Sequence, residues 1–162
     1  MGAGAFELNF PEPFARPAVT AAVTRGAMRA CLDLGYSPLL EVSLANGRRA
    51  DVCGVNSKGQ IVIIEVKSCV ADFAVDLKWT DYDEFCDRFY FAVPPDFPLD
   101  LLVHPSEDGV APGIILADKF GGAVYRPANV APLAPARRKA VTLYLARLGA
   151  ERLAMLSLDA LL

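Results

Sequence analysis

Apolar residues recur at helical spacing between Pro17 and about Leu34, at Val19, Ala22, Val23, Ala27, Ala30, Cys31 and Leu34. This spacing predicts one amphipathic helix. Pro17 suits its first turn and Gly35 its end. The period then shortens to that of strands, over Leu39–Leu44, Arg48–Val55 and Gln60–Lys67. Asn46-Gly47 and Lys58-Gly59 separate the three, and both are hairpin-turn signals. Ile61-Val62-Ile63-Ile64 is apolar on both faces, which predicts a central strand covered on both sides.

Val70 to about Cys86 reads as a helix with an acidic and aromatic surface: Asp72, Asp76, Trp79, Asp81, Tyr82, Asp83 and Glu84, with Asp87 adding to the charge. A fourth strand runs from Arg88 to Val93, its Phe89-Tyr90-Phe91 being strongly β-prone. Pro94, Pro95 and Pro98 end it, and a short helix follows near Leu99–Val103. A hairpin over Gly113–Ala117 and Ala123–Tyr125 is expected to turn at Gly121-Gly122. The last helix starts near Pro135 and runs to about Leu148, with continuation past Gly149 left open. Residues 1–16 lack any period and read as an extended arm, leaving 17–162 as one domain. An α-β-β-β-α-β order followed by a hairpin and helices predicts an α/β fold, a mixed sheet with helices on both sides.

Composition narrows the chemistry. Of 162 residues, 54% are hydrophobic and 22% charged, enough for one substantial core and unlike a disordered chain. No apolar run approaches the roughly 20 residues of a membrane helix. The N-terminus carries no secretory pattern, and Phe6 stands where a myristoylation motif wants Ser or Thr. No membrane partner is expected, and a cytoplasmic location is the default. Cys31, Cys53, Cys69 and Cys86 are widely spaced with no CxxC pair, which argues for reduced core thiols over zinc or disulfides. The single histidine, His104, lies beside Pro105 and far from any nucleophile motif, so triad hydrolysis is not expected. A net charge of −3 argues against coating nucleic acid by bulk attraction, but leaves room for a local basic cleft.

The chemically informative stretch is Arg48-Arg49-Ala50-Asp51, then Glu65-Val66-Lys67 after the turn. Glu65 and Lys67 are two apart and project from one face of a strand. A three-residue loop Ser57-Lys58-Gly59, with Gly59 left-handed, would pair Asn56 with Gln60. Counting back, Asp51 then lies opposite Glu65 on the same face. Two carboxylates and an ammonium converge at the end of an apolar hairpin, where charge needs a partner, a metal or water. A cross-strand ion pair of Glu65 with Arg49 or Lys67 would account for the same residues. So would a metal site: Asp51 and Glu65 offer hard oxygen ligands to Mg²⁺, with Mn²⁺ as substitute, and the Val66 carbonyl could complete the set. Lys67 beside the metal could orient water and steady charge on a scissile phosphate.

Asp51…Glu65-Val66-Lys67 across a hairpin, after an N-terminal helix, resembles the PD-(D/E)XK nuclease superfamily. The wider stretch looks like the MmcB-like bacterial DNA repair proteins: Arg48-Arg49-Ala50-Asp51, Glu65-Val66-Lys67-Ser68, Asp76 to Tyr82, Cys86 to Val93 and Gly113 to Asp118. Ala50 stands where the superfamily name has proline, a position that varies. The resemblance implies a restriction-endonuclease-like three-layer α/β/α fold with a central mixed sheet. It implies an Mg²⁺-dependent endonuclease acting in DNA repair on damaged or branched DNA. By position, Asp51 and Glu65 would hold the metal and Lys67 would be the catalytic lysine. DNA is the partner it implies, with repair proteins and a second copy of the chain as further candidates. The same fold serving as a catalytically silent module, bound to DNA or a repair protein, is the competing reading.

Glu41 is the candidate for an additional acidic ligand, and its placement turns on one loop. A three-residue loop Ala45-Asn46-Gly47 sets Glu41 opposite Asp51, whereas a two-residue type I′ turn sets Val42 there and turns Glu41 away. Arg48 and Arg49 are candidates for backbone phosphate contacts. Lys78 could reach a phosphate, Trp79 could stack on a base or pack beneath the sheet, and Ser68 could bond a phosphate or cap the next helix. Arg137-Arg138-Lys139 is the densest basic run and reads as the solvated face of the last helix.

Overall fold

A computed structural model describes residues 18–70, 79–102 and 111–161. Helix α1 (Ala18–Asp33) leads into strands β1 (Tyr36–Ser43), β2 (Arg49–Asn56) and β3 (Ile61–Val66). A 3₁₀ helix (Trp79–Phe85) precedes β4 (Arg88–Val93), and a second (Leu99–Leu102) precedes β5 (Gly113–Ala117). Strand β6 (Gly122–Arg126) and the long helix α2 (Pro135–Ala160) complete the order.

The six strands lie side by side in chain order. Pairs β1–β2, β2–β3 and β5–β6 are antiparallel, while β3–β4 and β4–β5 are parallel. The sheet is therefore mixed, with both faces covered, in the three-layer α/β/α arrangement that the pattern predicts. On one face α1 buries Val23, Ala27, Ala30 and Cys31 against Val52, Val62, Ile64 and Ile115. On the other, Tyr82 and Phe85 of the first 3₁₀ helix and Val141 and Leu145 of α2 cover Cys53, Ile61, Ile63 and Phe89. Every residue of β3 is buried, as a strand between two layers requires. At Gly26, α1 packs closely on the β5–β6 turn, for a Cβ there would stand 2.4 Å from the carbonyl oxygens of Asp118 and Gly121.

Several elements differ from their sequence pattern. Of the helix expected over Val70 to about Cys86, residues 71–78 with Asp72 and Asp76 lie outside the described residues, and Trp79–Phe85 is a 3₁₀ helix. Its Trp-Thr-Asp-Tyr-Asp run is poor in helix formers, and 3₁₀ structure serves such short pieces. The expected β5–β6 turn at Gly121-Gly122 falls earlier: the Asp118 amide donates to Gly121 O at 2.9 Å, and Gly122 already belongs to β6. Asp118 Oδ1 also accepts from the amides of Phe120 and Gly121, at 2.8 and 3.2 Å, which forms the turn one step before the glycine pair. Helix α2 continues through Gly149 to Ala160, the surrounding Leu, Ala and Arg outweighing one glycine. The N-terminal arm (1–16), Pro17, Val103 and His104 lie outside the described residues. No helix among the described residues is long and apolar enough to cross a membrane.

Candidate functional site

The β2–β3 hairpin closes as its glycine demands. Asn56 N donates to Gln60 O at 3.0 Å, leaving Ser57-Lys58-Gly59 as a three-residue loop with Gly59 at φ 74°. Asn56 Oδ1 accepts from the amides of Lys58 and Gln60, at 3.0 and 2.9 Å, and stiffens the loop. The register runs from Val55↔Ile61 to Val52↔Ile64, so the next row sets Asp51 opposite Glu65. There the side chains take over the strand pairing. Asp51 N donates to Glu65 Oε1 at 3.0 Å, and Val66 N donates to Asp51 Oδ2 at 2.8 Å. Each carboxylate thus binds the main chain of the opposite strand. Glu65 is 5% exposed and Lys67 7%, and the Lys67 amide donates to Ala92 O of β4 at 2.9 Å.

The β1–β2 loop decides where Glu41 goes. Leu44 N donates to Arg48 O at 2.7 Å and Gly47 N to Leu44 O at 3.0 Å, with Gly47 at φ 84°. This is the three-residue loop of the two alternatives. The flanking pairs Leu40↔Val52 and Val42↔Ala50 set Glu41 in the row of Asp51. Glu41, Asp51 and Glu65 therefore occupy one row across β1, β2 and β3. The Glu41 carboxylate, 8% exposed, is held by Arg49 at 2.6 Å. The first 3₁₀ helix steadies the loop from the side: Asn46 Nδ2 donates to Asp81 O at 2.9 Å, and the Tyr82 hydroxyl donates to Arg49 O at 3.4 Å.

The basic candidates are already engaged. Arg48 binds Asp81 Oδ2 through Nε and Nη2, at 3.0 and 2.8 Å, and Arg49 binds Glu41. Trp79 stacks on Phe89 with ring centroids 5.7 Å apart. Ser68 is half-buried directly after Lys67, and Lys78 lies outside the described residues.

Two arginines carry structure that sequence patterning missed. Arg138, read as part of a solvated face, instead forks onto Asp87, at 2.8 and 2.5 Å, and donates to Gly59 O at 2.7 Å. Asp87, counted in sequence with an acidic surface, is 2% exposed and also accepts from the amides of Ile61 and Leu133, at 2.7 and 2.9 Å. Burial pushes its pKa up, but Arg138 and the two amides outweigh that and hold it below the ordinary carboxylate value. This knot ties α2 to the β2–β3 loop and thereby to the strand bearing Glu65. The second arginine, Arg152, donates to the carbonyls of Leu40 and Glu41. Neither contact has a local signal, since the partners lie 51 and 111 residues apart.

The donor set is made of carboxylate and carbonyl oxygens, with no sulfur or imidazole, which suits a hard cation. Among the described residues no group of three or more His, Cys, Asp or Glu is close enough to form a cage by itself. Two facing carboxylates fit Mg²⁺, which keeps several waters and takes substrate oxygens to complete its shell. The concave surfaces beside α2 are lined by other residues, such as Leu39, Val55, Leu145 and Gly149.

A solved protein of unknown function from Silicibacter pomeroyi is 36% identical to this chain. The match has a TM-score of 0.78 and covers 88% of this chain and 93% of the other. A repair endonuclease from Pyrococcus abyssi aligns over 52% of this chain and 40% of its own, at 21% identity and a TM-score of 0.33, too loosely to carry an argument. No curated protein matches. The family model described as DNA repair protein MmcB-like matches residues 13–160, nearly the whole length, and the chain belongs to that family.

Proposed function

We propose that the Asp51/Glu65 row is the centre of an Mg²⁺-dependent endonuclease that hydrolyses phosphodiester bonds of damaged or branched DNA. One observation carries the reading. Asp51 and Glu65 are brought together by mutual side-chain to main-chain hydrogen bonds at the end of a buried hairpin, with Lys67 two residues on and almost fully buried. A charged trio at the end of an apolar strand is costly unless it serves a purpose. Membership of a DNA repair family supports DNA as the substrate.

On this reading Asp51, Glu65 and the Val66 carbonyl hold the metal, with Glu41 as a further ligand from the same row. When bound, Mg²⁺ supplies Lewis-acid polarisation of the scissile phosphate and of the attacking water. Lys67 orients that water and balances negative charge gathering on the phosphate oxygens. The β2–β3 hairpin keeps both carboxylates on one face, where they would hold the metal beside the scissile phosphate. Arg48, Arg49, Ser68 and Lys78 are the candidate contacts to the DNA backbone, and the first two exchange an intramolecular carboxylate for phosphate to play that part.

Glu41 bound to Arg49 favours a second reading, a silent module that binds DNA or a repair partner. Purified protein incubated with nicked, flapped and four-way DNA, in Mg²⁺, Mn²⁺ or EDTA, separates the two. Cleavage that needs the cation and is lost in Asp51→Asn and Lys67→Ala supports the enzyme. Equal cleavage by wild type and both variants refutes it, and DNA binding without cation dependence or turnover favours the module.

A further inference from the structure

Helix α2 is 26 residues long, yet Val141 and Leu145 are its buried residues. Its last tie to the sheet is Arg152, which reaches the Leu40 and Glu41 carbonyls of the edge strand β1. From Leu153 to Ala160 every residue of the helix is exposed. Leu153, Met155, Leu156 and Leu158 all fall in that overhang, with Leu153 65% and Leu156 50% exposed. Single exposed leucines are ordinary, but a contiguous apolar patch of this kind marks a contact surface.

The pattern along the helix says what fits the patch. Thr142, Ala146, Gly149, Leu153, Leu156 and Ala160 recur in alternating steps of four and three, the seam spacing of paired helices. No charged residue falls on this stripe. Its first half is small and its second half large. The small half, Thr142, Ala146 and Gly149, forms one wall of an open groove of about 290 Å³, with Leu39 and Val55 of the sheet opposite. A dry cavity of roughly 150 Å³ holds a benzene ring, so the groove has room for about two leucine side chains.

Knob and groove thus lie on one helix, and they match when that helix meets its own copy antiparallel. With a two-fold axis beside position 151, Leu153 of one chain faces Gly149 of the other, and Leu156 faces Ala146. Large residues then enter the space left by small ones, and symmetry repeats the match at the other end. A parallel pair would set leucine on leucine and leave both grooves empty.

We propose that α2 is a homodimer interface, in which two copies of the chain pair antiparallel through the Thr142–Ala160 stripe. Leu153 and Leu156 of each copy sit in the groove of the other. The stripe covers about 27 Å of a helix roughly 10 Å wide, a smaller footprint than the standard interface of about 800 Å² a side. The dimer is therefore reversible, with a Kd on the order of 10 μM. Neither metal nor DNA takes part, so the pairing stands or falls apart from the reading of the Asp51/Glu65 row.

The test is sedimentation velocity of the full chain from about 1 to 200 μM, a range that brackets the expected constant. Wild type should pass from monomer to dimer across it. Leu153→Glu, which sets a charge against Gly149 of the second copy, should stay monomeric throughout. Ala146→Leu crowds the space that Leu156 enters, and Leu156→Ala leaves that space empty; each should weaken association about 10-fold. The double variant Ala146→Leu/Leu156→Ala exchanges the large and small partners and should return to within about threefold of wild type. Far-UV circular dichroism shows whether each variant keeps its helices; if Ala146→Leu does not fold, Leu153→Glu and Leu156→Ala carry the comparison. A wild type that stays monomeric at the highest concentration overturns the proposal. So does a dimer that survives Leu153→Glu, or a double variant as weak as the weaker single one.

Discussion

Removing the guanidinium of Arg138 should cost far more stability than breaking an exposed ion pair, because its partner Asp87 is buried. Arg138→Met keeps most of the aliphatic stem and deletes the two bonds to Asp87 and the one to Gly59 O. Asp87, 2% exposed, then keeps only the amides of Ile61 and Leu133. Breaking a buried pair from one side typically costs about 3–5 kcal/mol, because a charge stays behind unpaired. The two remaining amides favour the lower end, about 3 kcal/mol. In a chain of this length that corresponds to on the order of 10 °C in Tm. Urea unfolding followed by far-UV circular dichroism measures it, and a double-mutant cycle with Asp87→Asn isolates the pair, with an expected coupling of about 2 kcal/mol.

Acid adds an independent check on the same pair. The folded pKa of Asp87 lies below its unfolded value of roughly 3.9. Between those two values the unfolded chain binds more protons than the folded one, so stability falls as pH drops through that window. The contribution of Asp87 is fully present above the unfolded value and gone below the folded one. Asp87→Asn should therefore show a shallower loss of stability in acid than wild type. A cost for Arg138→Met under about 1 kcal/mol, or strict additivity with Asp87→Asn, would refute the knot as a structural element.

Gly26→Ala should destabilise by about 2–4 kcal/mol, since its Cβ would meet two backbone oxygens at 2.4 Å; a midpoint in urea close to wild type would contradict that packing. Arg48→Ala should change stability by less than about 1 kcal/mol, because its ion pair with Asp81 is exposed at 29% and 44%, and the difference should shrink further in 0.5 M salt, a titration that unfolding curves at two ionic strengths would check. Of the four cysteines only Cys69 is exposed, and burial pushes the Cys31 and Cys53 thiols up to about 12. Native protein at pH 8 should therefore release one equivalent of thionitrobenzoate from Ellman's reagent quickly and the other three only on unfolding; rapid reaction of a second thiol would contradict the buried assignment.

The parts legible in sequence are those fixed by local rules. Gly59 at a left-handed position forces the three-residue loop, the loop forces the register, and the register sets Asp51 opposite Glu65. Strand alternation keeps Glu65 and Lys67 on one face for the same reason. The Asn46-Gly47 loop was ambiguous because two- and three-residue turns both accept that dipeptide; contacts from Asp81 and Tyr82 of the 3₁₀ helix support the longer one, and no window of residues 39–51 contains them. Arg138 and Asp87 are illegible together. Each looks like a solvated charge when seen against its neighbours, and only the fold brings them into contact. Arg152 is illegible for the same reason, its acceptors being backbone carbonyls, which have no residue signature at all.

The Asp87–Arg138 knot also bears on the order in which the chain can be made. Synthesis delivers β3 and β4, and with them the Ile61 amide, well before the other partners of Asp87, because Leu133 and Arg138 come 46 and 51 residues later. A chain still on the ribosome with its end short of residue 133 holds every described strand but cannot close its sheet around that carboxylate without leaving it buried with the Ile61 amide as its one partner among these three. The strand carrying Glu65 is therefore locked only when α2 emerges and docks. Helix α2 acts as a late clasp, and its docking, through Leu133 just before it and Arg138 within it, completes the set of bonds to Asp87.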